Sequence, residues 1–364
     1  MKKVLVVVGT RPNFIKITQF KKEALKFPNL EIKILHTGQH FDANMSDIFF
    51  EQFNTFPDYY LNAEKGRPAF QMASIIEKLD TFVNEVYRPD LILVPGDVNS
   101  TLASAIVANK NNISLGHIES GLRSYDRTMP EEHNRILTDQ LSDHCFVTEP
   151  SGMENLAKEN SHAQIHYVGN TMIDTLAAFE KQIIQNNKIA ALNLSKHSFV
   201  LVTMHRPNNV DNNDGIAFIN NLLLKLSEKL TVVFPAHPRT VKNFDTVQLK
   251  ELQQNKNIHI LEPLGYFEFQ NLVKNAKCIV TDSGGIQEET TYLQIPCLTI
   301  RPNTERPITT DSGTNTLIPN DIDLVLKYVQ SIIDKNYKKG TIPELWDGKA
   351  TQRILAAIDK LNFS

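Results

Sequence analysis

The stretch "KVLVVVGTRPNFIK" (residues 3–16) contains the unit from which the fold is built. Its apolar run ends at Val8, and a glycine, a threonine and a proline follow where a strand would give way to a helix. A run this short is unlike the apolar region of a signal peptide and is typical of a buried parallel strand. The segment therefore predicts a strand, a tight turn and a helix in succession.

The same unit recurs along most of the chain. Short runs rich in Val, Ile and Leu predict strands at 3–8, 31–36, 90–94, 113–117, 144–148, 199–204, 231–237, 258–261, 278–280 and 296–300. Apolar residues at helical spacing, clearest over 72–86, separate them. Alternation of this kind predicts two doubly wound, Rossmann-like α/β domains facing across a ligand cleft. We place the N-terminal domain at 1–170, completed by a C-terminal helix at 350–364, and the second domain at 171–349.

Composition narrows the class of function. The 364 residues are 41% hydrophobic and carry a formal net charge of −3, which disfavours nucleic-acid binding and attachment to anionic membranes. No apolar stretch approaches the length of a membrane span. The three cysteines are widely spaced, as in a cytoplasmic protein with reduced thiols. No spacing of His, Asp, Glu or Cys suggests a metal site, and we expect no cofactor.

Polar motifs follow the predicted strands, at the sheet edge where parallel α/β folds bind ligands. Arg11 and Lys16 flank the first turn of a helix, where two cations oppose the helix dipole unless an anion lies between them. The turn formed by residues 283–285, Ser-Gly-Gly, precedes another helix and suits a diphosphate, although an ordinary strand–helix turn has the same composition.

Carboxylates and histidines follow other strands. Asp97 could cap the next helix, whereas Glu119 follows a buried strand, where a charge needs a partner or a function. Glu131 and Glu132 lie at a helix start, where acids are favoured in any case. His205 and His237 follow strands of the second series and are candidates for acid–base chemistry or for structural roles.

These motifs together resemble the non-hydrolysing UDP-N-acetylglucosamine 2-epimerases, a family with the GT-B fold. The resemblance rests on "GTRPNFIK", "TGQH", "GDVNST", "ESGLRSYDRTMPEEHNR", "VGNTMIDT", "TMHRPNN", "HPR", "TDSGGIQEE" and "RPNTERP", in this order along nearly the whole chain. It implies reversible epimerisation at C2 between UDP-N-acetylglucosamine (UDP-GlcNAc) and UDP-N-acetylmannosamine (UDP-ManNAc). The implied route is anti elimination of UDP to a 2-acetamidoglucal, followed by re-addition.

The resemblance also implies roles for individual residues. Asp97, Glu119 and Glu131 would be the acid–base group around C2. His205 and Lys16, near the diphosphate, would complete the catalytic group. The residues implied to bind the UDP part or the sugar are Arg11, Ser283, Gly284, Gly285, Glu289, Phe269 and Arg306, with Glu289 at the ribose and Phe269 by the uracil. Glu288 has no implied role and is expected to face solvent. A second UDP-GlcNAc, acting as activator, would contact Gln39, His40, Glu132, Arg206 and His237. The family further implies a homodimer.

Two alternatives remain open at this point. The string "TGQHFDANMSDIFFEQF" (37–53) resembles a subgroup that epimerises UDP-2,3-diacetamido-2,3-dideoxy-glucuronate, which leaves the sugar undecided. The other alternative is a GT-B glycosyltransferase with a UDP-sugar donor. Such an enzyme needs an acceptor groove but no proton carriers, and three carboxylates near the donor favour an epimerase instead.

Overall fold

The computed structural model describes residues 1–39 and 49–363, and these divide into two compact units. Unit 1 comprises Met1–Ala178 with the C-terminal segment Glu344–Ser364, and unit 2 comprises Phe179–Pro343. Each unit is built on a parallel sheet, so the prediction of two parallel-sheet α/β domains is confirmed. In the described part of the chain, no helix is both long and apolar enough to cross a membrane.

The sheet of unit 1 reverses its winding next to its first strand. Its strands, within the described residues, are β1 (Lys2–Val8), β2 (Leu30–His36), β3 (Tyr59–Tyr60), β4 (Leu91–Pro95), β5 (Ser114–Ser120), β6 (His144–Val147) and β7 (Gln164–Tyr167). They lie in the order β3-β2-β1-β4-β5-β6-β7. The chain first adds strands on one side of β1 and then crosses to the other. The resulting gap between the loops after β1 and β4 is the place where such sheets bind ligands.

Helices connect these strands. The helices of unit 1 that have both ends within the described residues are α1 (Arg11–Ile15), α2 (Phe20–Ala24), α3 (Pro68–Glu85), α4 (Asn99–Lys110), α5 (Pro130–Leu141), α6 (Pro150–Lys158), α7 (Thr171–Ala178) and the C-terminal α18 (Ala350–Lys360). Proline is the first residue of α3, α5 and α6, where its fixed φ angle suits a helix and its missing N–H costs no hydrogen bond. The predicted stripe at 72–86 corresponds to α3.

Unit 2 repeats the same topology. Its strands are β8 (Phe199–Thr203), β9 (Thr231–Pro235), β10 (Ile258–Leu261), β11 (Cys278–Thr281), β12 (Cys297–Ile300) and β13 (Asn315–Ile318), in the order β10-β9-β8-β11-β12-β13. Its helices are α8 (Glu180–Gln185), α9 (Lys188–Ala191), α10 (Pro207–Val210), α11 (Asn213–Ser227), α12 (Pro238–Asn243), α13 (Thr246–Gln254), α14 (Tyr266–Asn275), α15 (Gly284–Leu293), α16 (Pro307–Asp311) and α17 (Ile322–Ile333). Here the winding reverses between β8 and β11.

Burial explains which strands the sequence predicts. Residues 4–8 of β1 and 91–94 of β4 are at most 2% exposed, and a strand covered on both faces is an unbroken apolar run. The ten predicted strands are present, with ends shifted by a residue or a few. The unpredicted strands are β3, which has only two residues, the polar edge strand β7 and the short β13. The cysteines are buried thiols, and burial raises the pKa of Cys278 to about 12.

The boundary between the units lies after Ala178, rather than after residue 170 as predicted. Helix α7 belongs to unit 1 because the Thr175 hydroxyl bonds both the Ile15 carbonyl, at 2.5 Å, and the Thr18 hydroxyl, at 2.6 Å. The second boundary lies at 343/344 rather than at 349/350, because the segment before α18 also packs in unit 1. The indole N–H of Trp346 donates to the Thr148 carbonyl at 3.0 Å.

Asp174 fastens the C-terminal helix to unit 1. Its carboxylate, on α7, accepts the backbone N–H groups of Ala350, at 3.0 Å, and Thr351, at 2.5 Å, at the start of α18. Burial raises the pKa of Asp174 to about 6, against the opposing effect of these N–H donors. The carboxylate therefore satisfies two helix-terminal donors that have no intrahelical partner.

We predict that Asp174→Ala loosens the C-terminal segment. Leaving two buried N–H groups without an acceptor should lower the free energy of unfolding by about 2–4 kcal/mol. Trp346 is the only tryptophan in the sequence and lies in this segment, so urea denaturation followed by its fluorescence measures the effect. Asp321→Ala, which removes an exposed cap from α17 in unit 2, is the control. An equal shift of the Trp346 transition in both variants would contradict the prediction.

Candidate functional site

In unit 1, the loops after β1, β4 and β5 are tied to one another. Asn13, in α1, donates from its side-chain amide to the Pro95 carbonyl at 2.9 Å and accepts from the Thr10 hydroxyl at 3.0 Å. The Gly96 N–H donates to the Ile118 carbonyl at 3.0 Å. The three strand ends therefore form one connected edge at the switch point of the sheet.

Lys16 and Glu119 form a buried ion pair at this edge. The ammonium group of Lys16 contacts Oε2 of Glu119, and both side chains are less than a tenth exposed. Glu119 has a φ of +68°, unusual for a residue with a side chain, and the pairing of β5 with β6 is irregular at this point. Bulges and left-handed residues of this kind re-aim a side chain, and they cluster at functional sites.

Gly96 leaves the space that this ion pair occupies. Its φ is +68°, and a Cβ atom built on it would lie 2.9 Å from the Lys16 ammonium and 3.5 Å from Oε2 of Glu119. The next residue, Asp97, is thereby brought to the same edge as Glu119.

Asp97 pairs with a cation and does not cap the following helix. The N-cap of α4 is Val98, without a side-chain bond, whereas Asp97 contacts a guanidinium nitrogen of Arg135 on α5. The alternative that Asp97 is a helix cap is therefore wrong, because the Arg135 pairing holds its carboxylate instead. Its side chain is 27% exposed and so remains accessible.

The two glutamates at the start of α5 lie in opposite environments. Glu131 is exposed. Glu132 is 1% exposed, receives Arg135 at 2.6 Å and accepts the backbone N–H groups of Ser124 and Tyr125. Arg135 therefore joins Glu132 to Asp97, a link that spacing along the sequence did not reveal.

The remaining predicted residues of unit 1 lie nearer β1 and β2. Arg11 stacks over the Phe49 ring at 4.0 Å, and burial lowers its pKa to about 10. Gln39 is buried and accepts from the backbone N–H and the hydroxyl of Ser100 at 2.9 and 2.7 Å. His40 lies outside the described residues.

In unit 2, the N-terminus of α15 has no side-chain cap. Ser283 is its N-cap but makes no side-chain capping bond, and no acid lies in the first turn. A Cβ atom on Gly284 would lie 2.8 Å from a guanidinium nitrogen of Arg306. The turn therefore combines helix N–H groups with a nearby cation, an arrangement that suits an anion such as a phosphate group.

His205 is held beside this turn by Asp282. Nδ1 of His205 lies 2.7 Å from the Asp282 carboxylate, which also accepts the backbone N–H of Arg206 at 2.9 Å and the Asn209 amide at 2.9 Å. Burial alone would raise the pKa of Asp282, but these donors lower it. The His205 side chain is 62% exposed, so Nε2 can face a ligand. Sequence reasoning missed Asp282, although it directly precedes Ser283.

The expectation that Glu288 faces solvent is wrong. It is fully buried and pairs with Nε of Arg306 at 2.9 Å. Glu305 then bridges Arg306, at 2.7 Å, and Arg301, at 2.9 Å. Since a buried guanidinium needs partners, Glu288 orients Arg306. Neither Glu305 nor Arg301 was predicted, although both lie in the motif that supplies Arg306.

Glu289 is buried on the same helix. Burial raises its pKa to about 7, helped by the neighbouring Glu288 and opposed by hydrogen bonds from the Gln270 side chain and the Tyr266 hydroxyl. Both of these residues lie on α14. Phe269, on the same helix, is partly buried against the hydrophobic core of unit 2. A carboxylate with these neighbours can accept hydroxyl groups.

The other residues predicted in unit 2 lie at two different strand ends. Nε of Arg206 donates to the Asp282 carbonyl at 3.1 Å, which places Arg206 beside the Ser283 turn. Proximity to Arg206 contributes to lowering the pKa of Arg301, although burial is the larger cause. His237 is exposed after β9, where its carbonyl accepts the N–H of Thr240 at 2.8 Å. Arg206 thus belongs to the cationic surroundings of α15, which its assignment to an activator site did not anticipate.

Comparison with known proteins gives consistent matches over most of the chain. The family model described as UDP-N-acetylglucosamine 2-epimerase matches residues 22–359. A UDP-N-acetylglucosamine 2-epimerase of Methanococcus maripaludis is 40% identical over 345 residues, which cover 92% of this chain and 93% of that protein. A UDP-2,3-diacetamido-2,3-dideoxy-D-glucuronate 2-epimerase of Pseudomonas aeruginosa is 34% identical over 365 residues, covering 99% of this chain and 100% of that protein.

Solved structures agree. The crystal structure of Methanocaldococcus jannaschii UDP-GlcNAc 2-epimerase in complex with UDP-GlcNAc and UDP superposes with a TM-score of 0.87. It is 37% identical in sequence, and the match covers 98% of this chain and 99% of that one.

The buried Glu289 predicts a pH-dependent stability. Its carboxyl ionises near pH 4.5 in an unfolded chain but near pH 7 in the fold, so folding is penalised increasingly as the pH rises between these values. Glu289→Gln lacks this penalty. Urea denaturation followed by circular dichroism should show the variant gaining about 3 kcal/mol relative to the unchanged protein between about pH 5 and about pH 8.

Glu228→Gln, at an exposed site on unit 2, is the matched control and should show no such pH-dependent gain. A Glu289→Gln variant whose stability relative to the unchanged protein is the same at both pH values would show that the carboxyl ionises normally.

Proposed function

Because the chain belongs to the UDP-N-acetylglucosamine 2-epimerase family, we propose that it interconverts UDP-GlcNAc and UDP-ManNAc by inversion at C2. The observation that carries the proposal is the pair of carboxylates at the ends of adjacent strands. Asp97 follows β4 and Glu119 lies at the end of β5, next to the switch point of unit 1, and each is paired with a cation. Two carboxylates at one edge are what proton transfer to and from a sugar carbon requires.

Unit 2 supplies a site for the nucleotide. The diphosphate would bind the N–H groups at the start of α15, with Arg306 beside Gly284 and the exposed face of His205. The ribose hydroxyls would donate to Glu289, one turn further along α15, and the uracil would lie near Phe269. The buried pairing of Arg306 with Glu288 holds the cation in place before the ligand arrives.

The chemistry begins with loss of the leaving group, because the C2 proton is not next to a carbonyl and is only weakly acidic. A base removes this proton while the C1–O bond breaks, UDP departs with the bonding electrons, and a C1–C2 double bond forms. In the second half, a UDP oxygen bonds to C1 and a proton is delivered to the opposite face of C2. Asp97, Glu119 and Glu131 are the proposed proton carriers, with His205 and Arg11 near the leaving diphosphate.

We further propose a second UDP-GlcNAc as an activator, near Gln39, His40, Glu132, Arg206 and His237, and a homodimer. Gln39 and Glu132 already accept hydrogen bonds within unit 1, so binding there would require these bonds to rearrange. A sigmoidal dependence of rate on UDP-GlcNAc concentration would support the activator, and a strictly hyperbolic one would contradict it.

Deuterium incorporation tests the reaction. In D₂O, the protein should convert UDP-GlcNAc into a mixture with UDP-ManNAc and place deuterium at C2 of both, as followed by NMR. Parallel incubation with UDP-2,3-diacetamido-2,3-dideoxy-glucuronate identifies the sugar. Exchange only with the uronate would support the alternative substrate, transfer of sugar to an acceptor would support a glycosyltransferase, and the absence of C2 exchange with either sugar nucleotide would rule out the proposal.

Asp97→Asn tests whether unit 1 supplies the proton transfer while unit 2 binds UDP. The variant should lose C2 exchange by about 10²-fold or more, since a positioned proton carrier contributes that much, while UDP binding is retained. Asp80→Asn, on the exposed face of α3, is the control and should keep both activities. Loss of UDP binding in Asp97→Asn, measured by calorimetry, would place Asp97 in a structural role instead.

A further inference from the structure

A buried charged cluster contacts the loop that carries Asp97 and the turn that follows Glu119 at the end of β5. It consists of His117 on β5, Asp139 on α5 and Arg123 in the loop after β5. His117 and Asp139 are fully buried and Arg123 is 3% exposed. None of the three was predicted as a site residue, and no step of the proposed reaction uses them.

Each ring nitrogen of His117 faces an oxygen atom. Nε2 lies 2.7 Å from the Gly96 carbonyl oxygen, which can only accept, so Nε2 carries a proton. Nδ1 lies 2.6 Å from Oδ1 of Asp139. The charge on the imidazole ring therefore depends on whether Asp139 accepts or donates in the second bond.

Asp139 is surrounded by donors. Its other oxygen accepts the Gly121 N–H at 3.0 Å and lies 2.7 Å from a guanidinium nitrogen of Arg123. A guanidinium and a backbone N–H at the same oxygen stabilise the ionised form of this carboxyl group. Asp139 is thus a carboxylate that accepts from Nδ1. Both ring nitrogens of His117 then donate, which makes the ring an imidazolium cation.

Through its hydrogen bonds, this cation holds the loop at Gly96 and, by way of Asp139, the turn at Gly121. The Gly96 carbonyl accepts from His117, and the Gly96 N–H donates to Ile118, so the backbone just before Asp97 is fixed on both sides. The Gly121 N–H, two residues after the left-handed Glu119, donates to Asp139. One ion pair therefore connects the peptide that precedes Asp97 with the turn that follows Glu119.

We propose that His117 is a positioning residue. It is a buried imidazolium whose charge holds Asp97 and Glu119 in the positions that proton transfer at C2 requires. The inference rests on the proposed function. The charged groups around the cluster are Asp139, Arg123, Glu159, which pairs with Arg123 at 2.6 Å, and the Lys16–Glu119 pair beside Gly96. Cys145 on the adjacent strand adds no charge, since burial and the nearby Asp139 raise its thiol pKa.

Nitrogen NMR of the histidine-labelled protein tests the protonation state without reference to activity. The account expects both ring nitrogens of His117 to carry a proton from about pH 6 to about pH 8.5, because Asp139 and the Gly96 carbonyl accept from both. The exposed His162 serves as an internal reference for a solvated ring. A His117 ring with one unprotonated nitrogen in this range would overturn the proposal.

Two variants test the link to catalysis. His117→Gln retains a donor but no charge, and kcat should fall by about 10²-fold with little change in KM or UDP affinity. Asp139→Asn removes the counter-charge. Its kcat, relative to the unchanged protein, should recover as the pH is lowered from about 8.5 to about 6, because the imidazolium re-forms. His162→Gln is the matched control and should match the unchanged protein.

Variants that lose thermal stability but keep kcat, or an Asp139→Asn activity ratio that does not vary with pH, would overturn the positioning role. If the unchanged protein gave no C2 exchange at all, the proposed function would fail instead, and the nitrogen spectra would still report the charge of His117.

Discussion

The reversal of strand order beside the first strand of each sheet is the constraint on which the rest of the structure depends. Parallel strands must be joined by crossovers, and reversing their direction separates the two loops that flank the central strands. In unit 1 these loops follow β1 and β4, and in unit 2 they follow β8 and β11. Asp97, His205 and Ser283 lie in these loops, and Lys16 follows the short helix α1 that continues the first of them. The strand order therefore sets the position of the candidate site in each sheet, whatever side chains line it.

Ion pairs fix most of the charged side chains in and around these loops. Glu119 has Lys16, Arg135 has both Asp97 and Glu132, and Arg306 has Glu288 and Glu305 among the described residues. A buried charge without a partner would cost several kcal/mol, so the pairs keep ionised groups in fixed places without a ligand. A site arranged in this way need not reorganise when charge develops during the reaction.

The sequence predicts the central strands well because strands buried on both faces, such as β1 and β4, are unbroken apolar runs. It does not predict β3 or β7, because a two-residue strand and a polar edge strand lack that pattern. Motifs identified the residues after each strand, but not their partners. The sequence predicts a solvent-facing Glu288 because its partner, Arg306, lies on another element. From the sequence, Asp97 is equally compatible with a helix cap, because only the fold brings Arg135 to it.

The central claim is that the C1–O bond breaks before C2 is inverted. The most direct test is a single-turnover reaction. The protein is mixed in excess with UDP-GlcNAc, the reaction is quenched at successive times, and the products are measured by mass spectrometry. The account predicts UDP and 2-acetamidoglucal in equal amounts and, when the solvent is D₂O, deuterium at C2 of the sugar nucleotides that re-form from them. Deuterium accumulating at C2 of the sugar nucleotide, with neither UDP nor 2-acetamidoglucal detected at any quench time, would contradict it.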